Sequence, residues 1–149
     1  MKTALFLTDC SIDSALTLRN WMSQYKGEAI QLTVVHPYAL ANGSLLTKET
    51  HRTAKQQAQT RLQHWSEMLP SSHPGMLLTE TLFGDASLVF TIHLQLRRYT
   101  YVLLDFWQEA LTEIYTAQAT PHGRLFYIDL QKKRLPMPGT FPEEINVLD

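Results

Sequence analysis

The stretch LFLTDCSIDSAL, residues 5–16, constrains the fold more than any other part of the chain. An apolar run, TALFLT over residues 3–8, is cut off at Thr8-Asp9. A polar turn, Asp9–Ser11, follows, and apolar residues then recur at helical spacing. A short buried strand feeding into a helix is the unit of a parallel sheet, because parallel neighbours need a crossover rather than a hairpin. The same rhythm continues along the chain. IQLTVVH (30–36), MLLTETL (76–82), YTYVLLD (99–105) and RLFYIDL (124–130) read as four further strands.

The intervening segments read as helices. Ile12, Ala15, Leu18, Met22 and Tyr25 mark the first, which Ser11 or Asp13 can cap and Gly27 can end. Pro37 stops the second strand, and Asn42-Gly43 marks a turn. Thr47, or alternatively Thr50, heads the longest helix. Its inner face carries Ala54, Ala58, Arg61/Leu62, Trp65 and Leu69, and Lys48, Arg52, Lys55, Gln56, Gln59 and Gln63 fill much of the other. Asp85 caps a third helix with Leu88, Val89, Ile92, Leu96 and Tyr99 on its apolar face, and residues 107–118 read as a fourth. Five strands alternating with four helices predict an α/β three-layer sandwich of Rossmann-like type, a parallel sheet with helices on both faces. Residues 1–130 form that domain. The tail 131–149 carries Pro136, Pro138 and Pro142 and is expected to be irregular or packed on a partner.

Several of these segments resemble universal stress proteins, over residues 3–130. TDCSIDSAL is similar to that family's strand-end Asp, Ser turn and Ala/Leu-rich helix. LTVVHPY (32–38) is similar to its second strand, TETLFGDAS (79–87) to its Gly before a helix-opening residue, and TYVLLD (100–105) to its fourth strand. The resemblance implies the adenine-nucleotide alpha hydrolase-like sheet, with strand order 3-2-1-4-5. It also implies that Asp9 with Thr8, and backbone groups at Val34 or Val35, correspond to the family's adenosine-holding positions; Asp105 joins them as a further strand-end residue, where open α/β sheets bind ligands. The family often dimerises through its fifth strand. Leu125, Phe126, Tyr127 and Ile128 are therefore expected at a homodimer interface, which would also cover an exposed sheet edge.

The resemblance breaks at one place. ATP-binding members carry Gly-x2-Gly-x9-Gly-Ser/Thr after strand four, where backbone N–H groups approach phosphate oxygens closely. Here that segment is DFWQEALTEIYTAQATPHG, with Gly123 as its only glycine and Asp105, Phe106 and Trp107 at its start. A carboxylate about 4 Å from a phosphate costs about 4 kcal/mol at an effective dielectric of 20. Trp107 can instead fill the space.

The expectation is a universal-stress-protein-like protein of non-ATP-binding type. It would serve stress response or regulation through dimerisation and protein or small-ligand contacts, without catalysis or a cofactor. The alternative is a Mg2+-dependent nucleotide-binding or hydrolysing protein that uses Asp9 and Asp105. Those two carboxylates read either as a hard-cation or acid–base pair, or as two helix-capping charges.

Other chemistry lacks a signature. The 149 residues carry a net charge of −1, so nothing predicts a nucleic-acid partner. No apolar window is long enough for a membrane span, and the run Ala4–Leu7 is too short for a signal peptide. With Cys10 as the only cysteine, the expected setting is the cytoplasm. Cys10 beside a helix N-terminus reads either as an activated thiol or as a half-buried inert one. The six histidines have no metal spacing; His36 alone ends a strand over the presumed cleft. No G-x-S-x-G, P-loop or G-x-G-x-x-G occurs. A receiver domain would need an acidic pair after strand one, where Asp9 stands alone.

Overall fold

The structure, a computed structural model, describes residues 2–25, 29–70, 76–104 and 126–129. The elements run β1 (Lys2–Leu7), α1 (Ile12–Gln24), β2 (Ile30–Tyr38), α2 (Lys48–Ser66), β3 (Met76–Phe83), α3 (Ala86–Leu96), β4 (Tyr101–Leu104) and β5 (Phe126–Asp129). All strand pairs are parallel, in the order β3-β2-β1-β4-β5. Chain order reverses between β1 and β4, so the crevice of an open α/β sheet lies beyond the end of β1.

Because successive strand residues point to opposite faces, β1 feeds two cores. Ala4 and Phe6 join Leu32, Val34 and Leu103 under α1 and α2, where they meet Leu18, Trp21, Leu62 and Trp65. Leu5 and Leu7 join Val35 and Val102 under α3, against Val89, Phe90 and Leu94. Burying each large side chain stabilises by about 1.5–3 kcal/mol. The continuous apolar character of β1 follows from this two-sided burial.

Helix starts follow local chemistry. Ser11 Oγ accepts from the Ser14 N–H at 3.1 Å, so Ser11 and not Asp13 caps α1. Thr47 and Thr50 act together: each side chain accepts from the other's backbone N–H, a reciprocal capping box. Asp85 caps α3 by accepting from Leu88 N–H at 2.8 Å.

Three expectations are corrected. Pro37 does not stop β2, which continues to Tyr38. Thr8 N donates to Val35 O, so residue 37 faces the β1 side one step beyond that bond, where β1 has ended. The missing proline N–H therefore breaks no formed rung. Ile12, Leu88 and Leu96, placed by periodicity on apolar faces, are 66%, 51% and 77% exposed. Ser14 and His93 are buried instead, because each has a buried partner, Thr8 and Tyr99 respectively. Tyr99 itself lies beyond the end of α3 and packs into the second core. The expected helix 107–118, Asp105, Trp107, Leu125 and the tail 131–149 lie outside the described residues.

Candidate functional site

The carboxyl ends of β1 and β2 meet α1 and α2 at one cluster of polar groups. Thr8 is fully buried at the end of β1. Its hydroxyl accepts from Cys10 N–H at 2.9 Å and shares a 2.7 Å hydrogen bond with the Ser14 hydroxyl. Asp9 is exposed, and its Oδ1 accepts from Ser11 N–H at 3.0 Å. Cys10 adopts φ 63°, a left-handed conformation that costs an L-residue about 1–2 kcal/mol. The Thr8, Ser11 and Ser14 hydrogen bonds hold the loop through that residue. Trp65 of α2 closes it from the other side, its Nε1–H donating to Ser11 O at 3.0 Å.

His36 sits beside this loop and is 5% exposed. Its Nδ1 lies 2.9 Å from Thr8 O, and its Nε2 lies 3.3 Å from Arg61 Nε. A carbonyl only accepts and a guanidinium N–H only donates, so the ring is the neutral Nδ1–H tautomer. Burial pushes the His36 pKa down; the Thr8 carbonyl and Asp9 oppose that, and Arg61 adds to it. Burial likewise pushes the Cys10 thiol up to about 11, with Arg61 pulling down and Asp9 pushing up. The thiol is therefore protonated and inert at neutral pH, which selects the second of its two readings.

The structure brings Thr8 and Asp9 together with His36, Cys10, Arg61 and Ser14. Val34 and Val35 are fully buried, one in each core, and Val35 O is occupied by Thr8 N–H. Asp105 falls outside the described residues, as does Leu125. Phe126, Tyr127 and Ile128 lie on β5, next to β4 at the far edge of the sheet from β3. Arg61 was the residue the sequence undersold. An arginine in register with Ala58, Leu62 and Trp65 on a buried helix face signals a partner beneath it. Among the described residues, no three His, Cys, Asp or Glu side chains converge as a metal-binding group. No helix among them is long and apolar enough to cross a membrane.

A second polar–aromatic cluster lies at the ends of β2 and β3. Tyr38 Oη and His51 Nε2 are 3.0 Å apart, and Phe83 packs edge-on against both rings.

Comparison with known structures decides the fold. A hypothetical protein, PH0823, superposes with a TM-score of 0.61 at 16% identity, covering 86% of this chain and 96% of that one. A universal stress protein crystallised in complex with cAMP superposes at 0.54 and 8% identity, covering 85% and 96%. The chain has the universal-stress-protein fold. At these identities the likeness carries the fold alone. No family model matches the sequence, and no curated protein matches it. Within that fold, the Thr8–His36–Arg61 cluster lies at the carboxyl ends of β1 and β2, beside the switch point between β1 and β4.

Proposed function

We propose that this chain is a stress-response or regulatory protein of the universal-stress-protein fold, acting by binding rather than catalysis and without ATP. One observation carries the reading. The polar groups at the ends of β1 and β2 satisfy one another: the Thr8 carbonyl and hydroxyl, both His36 nitrogens and the Trp65 N–H all have partners within the cluster. A catalytic imidazole offers one nitrogen to a nucleophile or substrate, whereas His36 faces a backbone carbonyl on one side and the Arg61 guanidinium on the other. The sequence adds that the segment after β4 offers Gly123 alone for a phosphate loop. Homodimerisation through β5, with Leu125, Phe126, Tyr127 and Ile128, is part of the same proposal, since β5 ends the sheet among the described residues.

A second reading keeps a nucleotide. Asp9 is exposed at the switch point, and a structural neighbour holds cAMP. Here Asp9 and Asp105 would hold Mg2+ and a nucleotide.

Calorimetric titration with ATP and with cAMP, each with and without Mg2+, separates the two. Absence of heat with ATP at millimolar concentration supports the first reading. Mg2+-dependent ATP binding that Asp9→Ala abolishes establishes the second. Size-exclusion mass of Leu125→Glu and Tyr127→Glu variants tests the interface: an unchanged dimeric mass places it elsewhere.

A further inference from the structure

The β3 edge of the sheet has no strand beside it among the described residues. Gly84 N donates to Tyr38 O, so ladder alternation directs Leu78, Glu80 and Leu82 toward β2. The backbone N–H and C=O groups of Leu77, Thr79, Thr81 and Phe83 then face outward, over about 20 Å of strand. Proteins blunt such edges with Lys, Pro, bulges or short strands. β3 has eight residues, MLLTETLF, with neither Lys nor Pro, and its register with β2 is unbroken from Met76 to Phe83. Its one charge, Glu80, is held by Arg97 at 2.6 Å and lies 3.7 Å from His93, on the α3 side.

The α2 side of this edge is polar and basic. A groove of about 470 Å³ runs between α2 and β3, lined by Lys55, Gln59, Gln63, Thr79 and Thr81 together with Leu62 and with Glu80, whose carboxylate is paired with Arg97. Lys48, Arg52 and Lys55 stand exposed along α2 at helical spacing, and Arg61 makes four cations on that helix against Glu49 alone. Thr79 and Thr81 present hydroxyls on the same face.

We propose that β3 is a docking edge for an extended acidic peptide segment of a partner protein, which adds a strand to the sheet and places alternate carboxylates over Lys55 and the Gln59/Gln63 amides. Backbone pairing supplies the register and the cations supply the selectivity. Charge complementarity excludes a second copy of this chain as the occupant. Antiparallel pairing of two β3 edges places both α2 helices on one face of the joined sheet, with their Lys55 stripes opposed. The edge lies at the opposite end of the sheet from β5, so the proposal stands or falls independently of the dimer.

The test uses the full-length protein and a fluorescein-labelled peptide, acetyl-Thr-Glu-Val-Glu-Val-Glu-Thr-amide, with the corresponding Lys-for-Glu peptide as control. Polarisation titrations should saturate with the acidic peptide and bind the basic one at least about tenfold more weakly. Amide NMR shifts should concentrate on Leu77, Thr79, Thr81 and Phe83. Lys55→Glu, on an exposed helix position, should weaken binding about tenfold. Thr79→Pro should abolish it while sparing the β2 ladder, because the N–H it removes faces outward. Lack of saturation at millimolar peptide, equal binding of the basic peptide, or shifts centred on β5 or Asp9 would each overturn the proposal. So would concentration-dependent shifts of the β3 amides in protein alone, which would assign the edge to a second copy.

Discussion

His36 stands in for a backbone donor that Pro37 lacks. In a parallel ladder the rung after Thr8 N–H to Val35 O is an N–H from residue 37 to Thr8 O. Proline has no N–H, and the His36 Nδ1–H occupies that acceptor at 2.9 Å. The imidazole thereby locks the end of β1, and Arg61 fixes the ring from above.

This relationship predicts a non-additive mutant cycle. His36→Ala should destabilise by about 1–3 kcal/mol, because it leaves the Thr8 carbonyl buried without a donor. In a Pro37→Ala background the new N–H can reach the same acceptor, and the cost of losing His36 should shrink markedly. Urea denaturation of the four proteins measures the coupling. Additive costs would show that the two residues act separately.

The pH dependence follows from two buried imidazoles. Burial, the largest cause in each case, lowers the pKa of His36 and of His93 below the ordinary 6.5. Arg61 adds to the effect at His36 and Arg97 at His93, while Asp9 and Glu80 oppose it. Between the lowered folded-state values and 6.5, the unfolded chain binds more protons than the folded one. Stability therefore rises with pH across that window, is full above 6.5, and falls as pH drops below it. Thermal midpoints measured from pH 7.5 down to 5 should decline, and His36→Gln should flatten part of the decline. A midpoint that is flat or rising toward pH 5 would contradict the neutral His36–Thr8 arrangement.

Much of this was legible locally and little of it at long range. The Gly84-Asp85 turn, the Ser11 and Thr47/Thr50 caps and the apolar strand cores depend on neighbours a few residues apart, and sequence reads those well. Arg61 over His36 and Trp65 over Ser11 join residues 25 and 54 positions apart, which no local pattern encodes. The exposure of Ile12 and Leu88 departs from the helical periodicity for a related reason. Periodicity marks an apolar stripe, but Ser14 and His93 rotate each helix by bringing partnered polar groups inward. His36 lies two residues before the end of β2, and local pattern reads Pro37 as a strand stop where the His-Pro pair in fact completes the end of β1.

Cys10 should be a slow nucleophile. With its thiol pushed up to about 11, alkylation by iodoacetamide at pH 7.5 should run roughly a hundredfold slower than for a free cysteine. The neighbours set the sign of two controls. Arg61 lowers the thiol pKa, so Arg61→Gln should slow the reaction further, and Asp9 raises it, so Asp9→Asn should speed it. A rate matching that of free cysteine at pH 7.5 would rule out the buried, protonated thiol.

Gly84 should resist substitution because of its backbone. It joins β3 to the Asp85 cap at φ 141°, a conformation L-residues rarely adopt. A Cβ there would also sit 3.1 Å from Leu88 Cδ2. Leu88 is 51% exposed and can swing aside, so the steric contact is the smaller part of the cost. Gly84→Ala should destabilise by about 1–3 kcal/mol. Removing the contact with Leu88→Ala in the same chain should recover little of that, since the torsional strain remains. Full recovery in the double variant would mean that the clash, not φ, requires glycine at this turn. Circular-dichroism melts of the three variants decide between the two, and the Gly84→Ala melt alone sets the size of the strain.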